Sequence, residues 1–532
     1  MQPSHKDSRV KLPRPAKSTL RSLLRWRIII FLATAGYFLY CFIFSQPLFA
    51  HPLPQHTGPY AVGAIDIEAP VSPPRVIDPA VFKGTDEKAF ELETVLFTLY
   101  YPTTYAAANQ RHTHRHPWIP RPISLRAQGY ARAAHISNWV TDAIFTFAIR
   151  VLVGSITIPA AVDVPLSDRA TRQSRFATSW DKSESQQEVL ASPTSGHPVI
   201  IFSHGTVSAR TDYSHYAGEL AARGYVVAML EHRDGSSPGT IIHPPSPGSK
   251  SKCKSKTRLL FDSSAVTTPS GHPLTIEDFH TAQLNFRQAE IEETVRVLRA
   301  INTGSGSEVF AQNPLGEGIH LPSWTGRLNT DEMVITGHSY GATGALQALR
   351  GGPSPARPFS GGIILDPGKQ SGPLNEDVRV PLLVVHSDSW SSHSSLFYNG
   401  RAHFDTVKGI VEANNARGNP SWFMTSLGTS HPSVTDAPLL EPWLLSFTTG
   451  ATIDVYQGLR QYVHVAEDFL GFLGDGKTRG LLKERAEFPQ YDPGTGLGMW
   501  KPGQGDDEKA WEESGEWWDW RSYWQIHVSP VE

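Results

Sequence analysis

The sequence predicts an α/β protein, with the α/β-hydrolase arrangement of a mostly parallel central sheet and helices on both of its faces. Short apolar runs typical of buried strands alternate with amphipathic stretches typical of helices. The segments 198–206, 213–223 and 225–233 follow the strand–helix–strand pattern of a parallel βαβ unit. A further strand, 333–335, leads through a glycine-flanked serine directly into a helix. These observations place the chain among the α/β proteins.

Composition limits the classes of function. The 532 residues allow one large domain with extensions, or two domains, and a hydrophobic content of 39% suits a globular protein. A net charge of −3 gives no indication of nucleic-acid binding. The only cysteines are Cys41 and Cys253, which rules out a disulfide framework.

The N-terminus predicts a membrane anchor. Residues 1–27 are strongly basic, and 28–50 carry no charge over about the 20 residues that a spanning helix needs. A positive N-terminal flank predicts a cytosolic N-terminus, with the main domain lumenal or extracellular. The alternative is a cleaved signal peptide and a secreted protein, but Phe49 is bulky for a cleavage site. We therefore predict a transmembrane signal anchor at 28–50.

The rest of the chain divides by composition. We predict a proline-rich linker at 51–89, a main domain at 90–475 with a flexible insertion at about 236–274, and a Trp-rich acidic tail at 476–532. Further elements of the main domain follow from periodicity, with strands at 92–102, 361–367, 380–388 and 422–431 and helices at 136–153, 275–302 and 453–473. The helix at 136–153 is apolar enough to be core, or a lid or membrane-facing helix over a lipid site.

The central motif is Gly337-His338-Ser339-Tyr340-Gly341, between a strand and a helix. This Gly-x-Ser-x-Gly pattern in a strand–turn–helix setting is that of a nucleophile elbow. The turn lifts the hydroxyl of Ser339 above the sheet, and the helix that follows directs its positive end at the reacting oxygen. We predict Ser339 to be a nucleophile.

A serine nucleophile needs a base and an acid. His431 follows the last strand, and the order serine, acid, histidine along the chain is that of α/β-hydrolases. Asp366 and Asp388 both end strands, and position alone does not choose between them. The His204-Gly205 loop after the strand at 198–206 is where this fold class takes one oxyanion donor, to pair with the N–H after the nucleophile.

No metal or cofactor is predicted. The histidine-rich segment 111–116 has no carboxylate or thiolate nearby, so a solvated loop is preferred to a zinc site.

Several motifs in order resemble one family. They are Ile200-Ile201-Phe202-Ser203-His204-Gly205, Arg210-Thr211 with Tyr213-Ser214, Glu231-His232-Arg233-Asp234-Gly235-Ser236, Gly337-His338-Ser339-Tyr340-Gly341-Ala342-Thr343, Ile364-Leu365-Asp366 and Gly428-Thr429-Ser430-His431. Across roughly residues 90 to 475 the chain resembles the platelet-activating-factor acetylhydrolases of the plasma type, the group VII calcium-independent phospholipases A2.

The resemblance implies roles for named residues. Ser339 would be the nucleophile, Asp366 the acid and His431 the base, and the backbone N–H groups of Thr206 and Tyr340 would form the oxyanion hole. Thr206 stands where the animal enzymes have leucine; since only its N–H is needed, the difference bears on substrate range rather than on activity.

The resemblance also implies a reaction. The chain would hydrolyse the sn-2 acetyl or short or oxidised acyl ester of phospholipids at a membrane surface, through an acyl-serine intermediate and without a cofactor. The alternatives are a general carboxylesterase acting on other esters and, from another class, a catalytically silent membrane-anchored scaffold.

Overall fold

A computed structural model describes residues 17–43, 46–110, 113–168, 196–244, 255–393, 395–397, 400–493 and 521–531. Parts of several predicted segments lie outside these ranges. They are most of the basic N-terminus, residues 44–45 of the anchor, residues 111–112 of the histidine-rich segment, the centre of the insertion, and the tail residues Trp511, Trp517, Trp518 and Trp520.

The strands are β1 Ala61–Phe82, β2 Lys88–Thr103, β3 Ala161–Val162, β4 His197–Ser203, β5 Val226–Glu231, β6 Gly239–Ile242, β7 Lys256–Leu259, β8 Val266–Thr267, β9 Leu328–His338, β10 Phe359–Leu365, β11 Leu382–Ser387, β12 Ser421–Ser426 and β13 Trp524–Val528. The helices are α1 Lys17–Ile43, α2 Tyr105–Ala108, α3 Ile123–Ala133, α4 Trp139–Leu152, α5 Ser214–Ala222, α6 Ile276–Ala300, α7 Gly306–Gln312, α8 Tyr340–Ala348, α9 Asp388–Ser392, α10 His403–Ala416, α11 Ala437–Leu440, α12 Pro442–Thr449 and α13 Val455–Asp475.

One 11-stranded sheet organises the described residues, in the order β13-β12-β11-β10-β9-β4-β5-β2-β1-β3, with β8 beside β1. The six strands from β12 to β5 are parallel to one another, whereas β2 and β13 run antiparallel to their neighbours. The prediction of a mostly parallel sheet is therefore confirmed. Parallel strands bring their carboxyl ends to a single edge, and the predicted site residues follow those ends.

Both faces of the sheet are covered by helices, as predicted. Val199 and Ile201 of β4 join a core with α6, α8 and α10, and Ile200 and Phe202 join a second core with α5 and α13. This alternation is the period of two that a strand imposes on its side chains. Apolar burial on both faces accounts for the continuous hydrophobic run of β4 in the sequence.

The predicted linker at 51–89 is instead largely strand. β1 pairs with β2 from Ala61 to Val81, with register shifts after Pro70 and again towards Val81. Prolines cannot donate to a ladder, but they are tolerated at bulges and on strands with few partners. β1 pairs only briefly with β3 and β8 on its other edge, which explains why proline content suggested a linker.

Two other peripheral segments are more ordered than their composition indicates. Inside the predicted flexible insertion, β6 and β7 form a two-stranded antiparallel sheet. In the predicted tail, β13 pairs antiparallel with β12 and closes that end of the main sheet. All five residues of β13 are buried.

The predicted transmembrane signal anchor at 28–50 is wrong. Among the described residues, no helix is both long and apolar enough to cross a membrane. Helix α1 ends at Ile43, and the sequence of its N-terminal part is basic as far as Arg27. The uncharged helical part is therefore shorter than the about 20 residues required. Single-pass attachment with a lumenal or extracellular main domain, which rested on this anchor, is wrong for the same reason.

Candidate active site

Ser339 occupies a sharp turn between β9 and α8. Its backbone has φ 57° and ψ −124°, a conformation that is costly for a residue other than glycine. Strain of this kind persists only where the surrounding structure enforces it, and here the Ser339 amide donates to the carbonyl of Leu365 on the neighbouring strand (3.0 Å). Ser339 is half-buried, so its side chain retains contact with solvent at the carboxyl edge of the sheet.

The two glycines of the motif are required by close backbone approach. A Cβ atom added at Gly337 would lie 2.2 Å from the carbonyl oxygen of Gly341, and one added at Gly341 would lie 1.9 Å from that of Ser203. The first oxygen belongs to the first turn of α8 and the second to the end of β4, so neither can move away without disrupting one of these elements. The glycine-flanked pattern read from the sequence therefore has a steric cause.

His431 and Asp366 are joined directly. The Nδ1 atom of His431 lies 2.8 Å from Oδ2 of Asp366, whose side chain is 2% exposed, whereas that of His431 is 30% exposed. Asp366 also accepts hydrogen bonds from the backbone N–H (2.6 Å) and the hydroxyl (2.7 Å) of Ser387. A buried carboxylate with these partners orients the imidazole, as the acid in a hydrolase does.

Asp388, the other candidate acid, has different partners. Its carboxylate accepts hydrogen bonds from the backbone N–H of Gly428 (2.8 Å) and from the hydroxyl of Tyr491. It therefore ties the loop that leads to His431 to the C-terminal segment. The geometry brings His431 together with Asp366 and not with Asp388.

The imidazole of His431 is held between two rings. The indole of Trp390 stacks on it with centroids 4.0 Å apart and planes at 11°, and the ring of His338 lies 4.4 Å away. His338 immediately precedes Ser339, so this contact places His431 beside the elbow. Burial and the neighbouring His431 hold the pKa of His338 well below its usual range, so His338 stays neutral.

The predicted oxyanion residues belong to two separate loops. A Cβ added at Gly205 would lie 3.0 Å from Cβ of Ser339, so the loop that carries Thr206 passes beside the predicted nucleophile. The Val207 amide donates to the Ser236 carbonyl (2.7 Å), while no described residue accepts a hydrogen bond from the amide of Thr206. Tyr340, the first residue of α8, carries the second predicted donor.

Three side chains at the site have ligand atoms within 4.8 Å of one another: His338, Asp366 and His431. A metal could in principle be held there. However, His431 and Asp366 already share a direct hydrogen bond, and the predicted chemistry gives both residues another role.

Sequence analysis missed a buried polar group beneath the elbow. Gln283, Arg287 and Glu290 of α6 are at most 4% exposed. Arg287 donates to the His204 carbonyl, Gln283 accepts from the hydroxyl of Tyr340, and Glu290 pairs with His232. The available signal was their spacing of four and then three residues, which puts all three on one face of a helix whose inward residues are mostly apolar.

Known proteins with similar sequences point in one direction. A family model described as platelet-activating factor acetylhydrolase, isoform II, matches residues 170–479, which is more than half of the chain. The platelet-activating factor acetylhydrolase of Cavia porcellus is 26% identical over 344 residues, covering 64% of this chain and 61% of that protein. A putative phospholipase A2 of Schizosaccharomyces pombe is 30% identical over 167 residues, covering 29% of this chain and 35% of that protein.

These relatives are each matched over less than two thirds of their own length. A solved ferulic acid esterase from Streptomyces cinnamoneus is 15% identical and superposes with a TM-score of 0.42, over 83% of this chain and 97% of that one. That score is below the level at which a shared fold follows. The family match over more than half of the sequence is sufficient by itself: the chain belongs to the platelet-activating factor acetylhydrolase, isoform II, family.

Proposed function

We propose that this protein is a serine esterase that hydrolyses the sn-2 acetyl or short or oxidised acyl ester of phospholipids. The observation that carries the proposal is the hydrogen bond between His431 and Asp366 beside the strained turn at Ser339. Family membership supports the phospholipid as substrate, because relatives in the family are named platelet-activating factor acetylhydrolases.

The reaction has two halves. The Ser339 hydroxyl oxygen attacks the ester carbonyl carbon while Nε2 of His431 takes the hydroxyl proton. Asp366, bonded to Nδ1, keeps the ring in the required tautomer and stabilises its charged form. The imidazolium then protonates the leaving glycerol oxygen, which releases the lysophospholipid and leaves an acyl-Ser339. Water, deprotonated by His431, attacks this ester and frees the acid and Ser339.

Charge that develops on the carbonyl oxygen needs donors fixed in advance. We propose that the backbone N–H groups of Thr206 and Tyr340 supply them. Backbone donors do not depend on the side chain at residue 206, so a threonine at this position is compatible with the chemistry.

Helix α4 fits a substrate that resides in a lipid surface. None of its residues is buried, and Trp139 (84%), Ile144 (58%) and Phe147 (69%) are strongly exposed. α4 packs on α3, whose Arg126 forms an ion pair with Glu231 (2.8 Å) at the carboxyl end of β5. Since that end belongs to the edge that carries Ser339, we propose that α4 contacts the lipid surface from which the substrate is taken.

Covalent labelling tests the esterase mechanism. A fluorophosphonate probe is expected to label the wild-type protein and not Ser339→Ala, and to label His431→Ala very slowly. Ser360→Ala is the matched control, because Ser360 lies on β10 and its hydroxyl donates to the Met333 carbonyl, far from the reacting atoms. Labelling of Ser339→Ala equal to that of wild type would refute the assignment of the nucleophile.

Product analysis tests the substrate class. We expect release of acetate and a lysophospholipid from 1-alkyl-2-acetylglycerophosphocholine, with turnover unchanged by a metal chelator. Turnover of p-nitrophenyl esters with none of short-chain phosphatidylcholines would favour the general carboxylesterase instead.

A further inference from the structure

A single guanidinium lies beneath both loops of the proposed oxyanion hole. Arg287 of α6 has no solvent exposure. A buried charge is costly unless it is paired and each of its donors is used. The partners that Arg287 uses therefore show what this residue holds in place.

On one side the guanidinium is anchored to the loop after β5. Its Nε donates to Oδ2 of Asp234 (2.7 Å), and its Nη2 donates to the hydroxyl of Ser236 (2.6 Å). Asp234 has no solvent exposure either. In the same loop, the Ser236 carbonyl accepts a hydrogen bond from the amide of Val207, the residue that follows Thr206.

On the other side Arg287 contacts both loops that carry a proposed oxyanion donor. Its Nη1 donates to the carbonyl of His204 (2.7 Å), two residues before Thr206. Its guanidinium carbon lies 4.3 Å from the centroid of the Tyr340 ring. Gln283, one turn earlier on α6, accepts from the Tyr340 hydroxyl (2.8 Å) and donates to the Asp234 carbonyl (2.9 Å).

We infer that Arg287 is a positioning residue that sets the separation of the two proposed oxyanion amides, those of Thr206 and Tyr340. The inference rests on the proposed function. The two amides belong to loops after different strands, β4 and β9, and their geometry matters only when a negative oxygen sits between them. Arg287 therefore supports the transition state and not the binding of the ground-state ester.

The role requires arginine. The planar fork donates in three directions while its face stacks on an aromatic ring, whereas a lysine ammonium is a point charge without a face. Arg287→Lys keeps the charge beside Asp234 and loses the bridge between the two loops.

The test compares two buried arginines. Arg258→Lys is the matched control, because Arg258 of β7 is 7% exposed, lies 4.7 Å from the centroid of the Phe82 ring and pairs with Glu87 (3.4 Å), neither of which contacts Arg287. Both variants are assayed as full-length protein, each at the same interval below its own melting temperature. For Arg287→Lys we expect kcat to fall by about 10- to 100-fold while KM stays within about threefold, since a donor displaced by about 1 Å loses transition-state stabilisation.

A trifluoromethyl ketone, which forms an anionic tetrahedral adduct with a serine, gives a second readout. Its affinity is expected to fall in parallel with kcat in Arg287→Lys and to stay unchanged in Arg258→Lys. If both variants lose kcat and ketone affinity equally, Arg287 is only a structural ion pair and the inference is overturned.

Tyr340→Leu covers the case in which Arg287→Lys does not fold. It keeps the backbone N–H and the buried charge pair but removes the ring under the guanidinium, so kcat and ketone affinity should both fall. Unchanged values would overturn the inference. Failure of the proposed function is distinguishable, because the wild-type protein itself would then neither turn over esters nor react with a fluorophosphonate.

Discussion

For single residues, the choice of acid depends on the direction of two carboxylates. Asp366 and Asp388 follow adjacent parallel strands, and both have the residue type and placement that the role requires. Asp366 reaches His431, while Asp388 is occupied by Gly428 and Tyr491. Strand order places both side chains at the edge of the sheet, but only the packed turn after each strand decides which of them meets the imidazole.

Asparagine substitutions test which of the two aspartates is the acid. Asp366→Asn is expected to lower kcat by about 10⁴-fold, because an amide in this position favours the wrong imidazole tautomer. Asp388→Asn keeps a group that can accept from Gly428 and should lower kcat by less than about tenfold. Steady-state assays on 1-alkyl-2-acetylglycerophosphocholine measure both effects. A larger loss in Asp388→Asn would move the role of acid to that residue.

Among the secondary-structure elements, α4 is notable because none of its residues is buried. Asn138 is the N-cap of the helix, and its side chain accepts hydrogen bonds from the amides of Val140 and Thr141. This cap stabilises the helical conformation locally. Trp139, Ile144 and Phe147 are nevertheless strongly exposed. From the sequence this helix could have been core, lid or membrane-facing; the structure removes the first of these.

Polar substitutions on α4 test its proposed contact with lipid. Trp139→Ser combined with Phe147→Ser should reduce turnover of a phospholipid presented in vesicles, because the apolar area available to the bilayer is lost. Turnover of a dissolved p-nitrophenyl ester should not change. Ile319→Ser, at another exposed apolar residue (59%), is the control. Equal turnover of vesicle substrate by the double variant and by wild type would contradict the proposal.

Across the molecule, many histidines are buried in the neutral state. Burial lowers the pKa of His204, His403 and His527 to about 4. It also holds the pKa of His232 and His386 well below the usual range. Each of these imidazoles binds a proton more readily in the unfolded chain than in its buried position, so their protonation is linked to unfolding.

The stability of the folded protein is therefore expected to decrease as the pH is lowered. Below about pH 6.5 the unfolded chain binds protons on His204, His403 and His527, while the folded chain does not until about pH 4. Burial raises the pKa of Asp212 and Asp468 to about 7, which acts in the opposite direction, but among the described residues histidines with a lowered pKa outnumber carboxylates with a raised one. The free energy of unfolding should thus decrease as pH falls from about 6.5 to about 4.

Urea unfolding followed by tryptophan fluorescence measures this trend, since Trp324 and Trp422 have no solvent exposure. One pKa unit corresponds to about 1.4 kcal/mol. The summed pKa shifts of a few such histidines are therefore comparable in free energy with the total stability of a protein, which is about 5–15 kcal/mol. A urea midpoint that is constant or rises between pH 6.5 and pH 4 would contradict the expectation.

Features that depend on local patterns could be predicted from the amino-acid order. Apolar runs marked the parallel strands, glycine spacing marked the turn at Ser339, and the order of Ser339, acid and His431 matched a known arrangement, because each signal lies within a few residues of chain. Features that depend on distant partners emerged only from the folded chain. β1 and β13 form strands only because β2 and β12 provide the partners for their backbone hydrogen bonds. Arg287 becomes part of a site only because two loops and Asp234 close around it, since a charge is buried only where folding supplies all of its partners at once.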